Sequence, residues 1–121
     1  MEGKVFFYPH PLNLKLMREE ARVLLGRHNF SSFQASLGKE RNPVKVIKRL
    51  AITRNKDLIH IDIEGDGFLY NMVRNIAGTL IEIGRGRFES GRLKKVLLSK
   101  DRRLAGQTLP AHGLCLLKVK Y

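Results

Sequence analysis

The chain has little sulfur and little acid. Of its 121 residues one is cysteine, Cys115, and none is tryptophan. A single thiol excludes a disulfide framework and an all-thiolate metal site. His10, His28, His60 and His112 match no zinc spacing and have no adjacent cysteine, so no metal is expected. No apolar run approaches the ~20 residues of a membrane span. Met1-Glu2-Gly3-Lys4 lacks the long apolar stretch of a signal peptide. The expected setting is therefore the cytoplasm, away from membranes. No nucleophile–base–orienter triad is recognisably spaced, and there is no internal repeat, low-complexity tract or linker. Gly84-Arg85-Gly86-Arg87 is no phosphate-binding loop, because it follows a predicted helix and does not open one. Asp62, Asp66 and Asp101 stand isolated, and Asp66 suits a turn or helix N-cap.

Acidic residues number 11 against 23 Lys plus Arg, a net charge of +12 that points to a polyanion, most commonly nucleic acid. A hydrophobic content of 43% argues for one folded domain over residues 1–121 and against disorder. The basic residues fall in two blocks. Lys39, Arg41, Lys45, Lys48, Arg49, Arg54 and Lys56 meet only Glu40 and Asp57 between positions 39 and 57. Arg85, Arg87, Arg92, Lys94, Lys95, Lys100, Arg102 and Arg103 meet only Glu89 and Asp101 between positions 85 and 103. Solvated faces explain such blocks in many proteins. Two blocks under so large a net charge favour contact with phosphates.

The pattern of elements predicts an α+β fold. Val5 to Tyr8 is a short apolar run stopped by Pro9. A helix is expected from about Leu12 to Leu25, with Leu14, Met17, Ala21, Leu24 and Leu25 on one face and Gly26 as its stop. Arg27 to Phe33 reads as a structured loop or single turn, and residues 34–43 as a basic loop. Val44 to Thr53 reads as a strand with Val44, Val46, Leu50 and Ile52 on one side and Lys48 as the exception. Leu58 to Glu64 alternates strictly, Ile59, Ile61 and Ile63 against His60, Asp62 and Glu64, and completes an antiparallel hairpin. Helices follow at about Leu69 to Ile83 and Ser90 to Ser99. The first shows Met72, Val73, Ile76, Ala77, Leu80 and Ile83, the second Leu93, Val96 and Leu97. The last strand, Leu114 to Lys120, is apolar on both sides near its start, as in a strand deep in a sheet or against a partner. Helices on one face of a mostly antiparallel or mixed sheet satisfy this order.

Arg74 is the side chain that stability alone does not explain. It borders the apolar face early in its helix, where a cation opposes the macrodipole. An outward-snorkelling stem, or a contact with Asp62 or Glu64, would account for it structurally. Its planar fork suits a carboxylate or phosphate equally well. Phe30, Phe33, Phe68 and Tyr70 are candidates for stacking on bases, although core packing is the commoner fate of a Phe. His112, in a turn before the last strand, is better suited to a structural hydrogen bond than to a ligand.

Phe68-Leu69-Tyr70-Asn71-Met72-Val73-Arg74-Asn75-Ile76-Ala77-Gly78 resembles the signature segment of the tRNA pseudouridine synthase A family. Further motifs follow in the family's order: His28-Asn29-Phe30-Ser31-Ser32-Phe33, Gly84-Arg85-Gly86, Asp101-Arg102-Arg103-Leu104-Ala105-Gly106, Thr108-Leu109-Pro110-Ala111-His112-Gly113-Leu114 and Val119-Lys120-Tyr121. The likeness runs from about Tyr8 to Tyr121, but only to the family's C-terminal half. The family's Arg-Thr-Asp segment, which carries the catalytic aspartate, is absent from the chain. Asn29 stands where the family usually has Asp, Leu109 where it has Ala, and Lys45 where Arg is common.

The resemblance implies an isomerase of uridine to pseudouridine in the tRNA anticodon arm, with no metal or cofactor, acting as a homodimer. It implies that Arg74 pairs with the catalytic aspartate of the other half. It also implies that Lys39, Arg41, Lys45, Lys48, Arg85, Arg87, Lys95 and Arg102 track tRNA phosphates, and that Phe68, Tyr70, Asn71 and His112 support the cleft. The chain alone is expected to be inactive. A standalone RNA-binding module is the alternative, and a DNA- or ribosome-binding structural protein is a third reading.

Overall fold

Strict alternation makes residues 58–64 a strand that can bury one side, and Ile59, Ile61 and Ile63 are indeed buried while Glu64 is exposed. The computed structural model describes residues 2–7, 12–34, 42–55, 58–68, 72–105 and 116–120. Among them are five strands: β1 (Glu2–Phe7), β2 (Gly26–Asn29), β3 (Val44–Asn55), β4 (Leu58–Gly65) and β5 (Leu116–Lys120). They form one sheet in the order β2-β3-β4-β1-β5, with every pairing antiparallel. The helices are α1 (Leu14–Ala21), α2 (Met72–Gly84) and α3 (Arg92–Ser99), joined by single 3₁₀ turns at Arg22–Leu24, Ser31–Phe33 and Arg102–Leu104. The fold is α+β.

The register shows which face the helices cover. Gly3 pairs with Ile63, and a β-carbon on Gly3 would lie 2.8 Å from both γ-carbons of Val73 on α2. Ile52 pairs with Ile61, and its carbonyl accepts from Arg18 Nε of α1 at 2.8 Å. Both helices thus lie on the side of the buried isoleucines, and α3 packs against α1 and α2. The other end of α2 is equally close to its neighbour. A β-carbon on Gly84 would lie 2.5 Å from Met17 Sδ, and Asn13 N–H donates to the Gly84 carbonyl at 2.8 Å. Asn13 also caps α1, its Oδ1 accepting from Leu16 N at 3.0 Å.

Four expectations change. The helix predicted to Leu25 ends at Ala21 and tightens into a 3₁₀ turn, so Leu25 has extended backbone and is 42% exposed. Residues 27–29, expected as part of a structured loop or single turn from Arg27 to Phe33, join Gly26 in the edge strand β2, which pairs with β3. The expected single-sided pattern of β3 fails at a bulge. Ile47 pairs with Gly65 and Arg49 with Glu64, leaving Lys48 as the extra residue. The bulge switches parity, so Ile47 before it and Ile52 after it are both buried. Finally, β5 does not lie deep in the sheet. It ends the strand order, with β1 as its one partner among the described residues.

Candidate active site

Helix α2 is nearly encircled. The six apolar residues expected on its core face are buried, and so are Asn75, Gly78, Thr79 and Ile81. Packed between the sheet and the other helices, it is held more closely than a surface helix. Arg74 is half-buried in its first turn and is not free of partners. It follows Val73, which is wedged against Gly3, and precedes Asn75, which is completely buried.

Asn75 is the joint of a polar network that the sequence reading overlooks. Its Nδ2 donates to the Phe33 carbonyl at 2.7 Å, and its Oδ1 accepts from Arg102 Nη2 at 3.0 Å. Its own carbonyl accepts from Thr79 Oγ1 at 2.8 Å. Ser32 Oγ, also buried, donates to the Val96 carbonyl of α3 at 2.6 Å. Three motifs distant in sequence therefore meet around the Arg74 turn: residues 28–33, the segment 72–78 and residues 101–105. The available signal was an asparagine among apolar residues on a core-facing helix, a group that must find partners when buried.

The neighbouring residues explain the sequence in this region. Asn29 Oδ1 accepts from both the backbone N and the Oγ of Ser31, which starts the Ser31–Phe33 turn, so an amide suffices where the family usually has a carboxylate. Phe30 and Phe33 are fully buried, in ring contact at 6.4 Å, and belong to the core. Phe68 is likewise a core residue. Asp66 lies in the bend that follows β4, in keeping with a turn residue. Its Oδ1 accepts from Val46 N at 2.9 Å while its N–H donates to the Val46 carbonyl at 3.1 Å, closing the β3–β4 pair beyond the bulge.

The basic residues fall into distinct environments. Lys48 is exposed at the bulge, and Lys45 is half-buried on β3 with a partner. Arg85 and Arg87 are exposed after α2, each 3.5 Å from Glu82. Lys95 is exposed on α3. Arg102 is half-buried and turned inward to Asn75, and burial lowers its guanidinium pKa, leaving it charged at neutral pH. Arg92 is structural: Nη1 meets Glu89 at 3.3 Å, Nη2 donates to the Leu104 carbonyl at 3.3 Å, and the group lies 4.4 Å over the Phe88 ring. Lys39, Arg41, Tyr70, Asn71 and His112 lie outside the described residues, as do positions 35–41 of the expected basic loop and the turn expected around His112. No group of three or more potential metal ligands occurs among the described residues, and none of the described helices is long and apolar enough to cross a membrane.

The family model for tRNA pseudouridine synthase matches residues 21–121. The chain belongs to the tRNA pseudouridine synthase family. It is 43% identical over 97% of its length to tRNA pseudouridine synthase A of Clostridium kluyveri, covering 48% of that protein. It is 44% identical over its whole length to tRNA pseudouridine synthase A of Thermoanaerobacter sp., covering 50% of it. Likeness to the protein of that name from Gluconobacter oxydans is 41% over the whole chain and 44% of the relative. The chain thus spans about half the length of the curated synthases it matches. Three of the segments carrying the synthase resemblance, those at 28–33, 68–78 and 101–106, meet at the network around Asn75.

Proposed function

We propose that this chain is the C-terminal half of a tRNA pseudouridine synthase and that Arg74 pairs with the catalytic aspartate of the N-terminal half. The supporting observation is a half-buried guanidinium on the first turn of a helix tacked down at both ends, inside the region matched by the family model. A cation so placed lowers the pKa of an incoming carboxylate and keeps it ionised at neutral pH. Its fork also fixes both carboxylate oxygens, so the carboxylate meets the target nucleotide in one orientation. The reaction detaches uracil from ribose and rejoins it through carbon, so the base must be held while its bond to the sugar is broken. The anticodon arm of tRNA is the substrate in this reading. Lys48, Arg85, Arg87 and Lys95 meet its phosphates, together with Lys39, Arg41, Lys45 and any N–H group Arg102 can spare. The edge of β5 receives the sheet of the other half, the whole enzyme is a homodimer, and it works in the cytoplasm. By itself the chain binds tRNA without turnover.

The test joins the chain to its N-terminal half and follows pseudouridine formation by tritium release from uracil-labelled tRNA. Arg74→Ala should abolish turnover and leave tRNA affinity nearly unchanged. Arg74→Lys should not restore it, because lysine lacks the planar fork. Near-parental turnover by either variant refutes the role.

A further inference from the structure

We infer that Asn75 is a positioning residue for Arg74, acting from inside the core through its two side-chain hydrogen bonds; this rests on the role proposed above for Arg74. A fully buried amide loses its water and is tolerated only if both ends are partnered. Asn75 is 0% exposed, and both ends are used: Nδ2 on the Phe33 carbonyl, Oδ1 on Arg102 Nη2. These partners lie 42 and 27 residues away in the chain, so one side chain ties the start of α2 to two separate 3₁₀ turns.

Apolar packing alone would fill this space. It is non-directional, however, and Val73, Ile76 and Leu80 could tolerate small rotations of the helix within the core. Hydrogen bonds are directional, and two that point to different turns fix both the rotation of the helix and its position along the axis. The turns themselves are anchored. Ser31–Phe33 is held by Asn29 Oδ1 and by Ser32 Oγ on the Val96 carbonyl. Arg102–Leu104 is held by Asp101 Oδ1, which accepts from Arg103 N at 3.0 Å, and by Arg92 Nη2 on the Leu104 carbonyl. Arg74 is the next residue along the same turn and is already half-buried. Where its backbone goes, the guanidinium follows. On this account the inward turn of Arg102 aligns the Arg74 segment.

The experiment measures steady-state kinetics and tRNA binding of the chain joined to its N-terminal half, well below the melting temperature of each variant. Asn75→Leu, similar in volume, should lower kcat about tenfold or more, as expected for a misplaced catalytic contact. KM for tRNA should stay within about twofold. Arg102→Met should shift kcat in the same direction, Arg102→Lys should recover part of the loss, and Asn75→Leu/Arg102→Met should be no worse than Asn75→Leu alone. If Asn75→Leu does not fold, the Arg102 pair decides. A folded variant series with unchanged kcat overturns the proposal, as does a loss confined to KM, which would make Arg102 a simple phosphate contact. Arg74→Ala separates the two claims. If it is inactive while the Asn75 and Arg102 variants run at the parental rate, only the positioning role falls. If it retains full turnover, the assignment of Arg74 falls and this inference with it.

Discussion

Short polar side chains do much of the joining in this molecule. Asn13, Asn29, Asp66, Asn75 and Asp101 each spend a side-chain oxygen on a backbone or guanidinium N–H where an element starts, ends or meets another. Asp101 shows how this couples to pH. Its carboxylate accepts from Arg103 Nη2 at 2.9 Å and from Arg103 N, and these contacts hold its pKa below the usual carboxylate value. A depressed folded-state pKa adds stability that is present above the unfolded value, about 3.9, and is lost as pH falls through the folded value. The Arg102–Leu104 turn should therefore keep its cap at neutral pH and lose it only in acid, below the ordinary aspartate range. The backbone amide of Arg103 should gain hydrogen-exchange freedom in that window, and Asp101→Asn should remove the pH dependence. Glu89 is lowered in the same sense by its backbone hydrogen bond and by Arg92, so the α3 entrance should respond in parallel.

Among the elements, the bulge in β3 has the most specific consequence. Lys48 is the extra residue that lets Ile47 and Ile52 face the same core from opposite parities. Deleting Lys48 would restore a regular ladder with Ile47 still opposite Gly65 on the core face, whereas Ile47→Ala would empty that place. The loss of one buried isoleucine should cost about 2–5 kcal/mol, readable as a lower urea midpoint. Lys48→Ala keeps the bulge and should be close to neutral. Deletion of Lys48 should likewise cost much less than Ile47→Ala, because it keeps both isoleucines on the buried parity. Helix α2 illustrates the same economy of space, since glycines at 3 and 84 give it the close approaches that hold both of its ends.

For the molecule as a whole, charge governs behaviour. A net +12 over 121 residues repels itself and is relieved by a polyanion. If Arg85 and Lys95 each meet a phosphate, Arg85→Gln or Lys95→Gln should weaken tRNA binding and reduce the slope of log K against log salt by about 0.7–0.9 per contact. Titrations at several salt concentrations measure this. Arg102→Met should change that slope less than Arg85→Gln, because one of its N–H groups is given to Asn75. Among the described residues β5 ends the sheet, and the chain spans about half the length of its curated relatives.

Local pattern was enough for the β3–β4 hairpin, the core faces of α2 and α3 and the α+β class, since each depends on periodicity. Motif order along the chain was enough for the family. The bulge at Lys48, the edge strand β2 and the outer place of β5 were decided by pairing, which depends on partners far away in sequence. The clearest case is Asn75. By its neighbours it is one polar residue in an apolar helix, and only folding brings the Phe33 carbonyl and Arg102 to the two ends of its amide. Hydrogen-bond partners at long range leave no periodic trace, because what selects them is the geometry of the closed core.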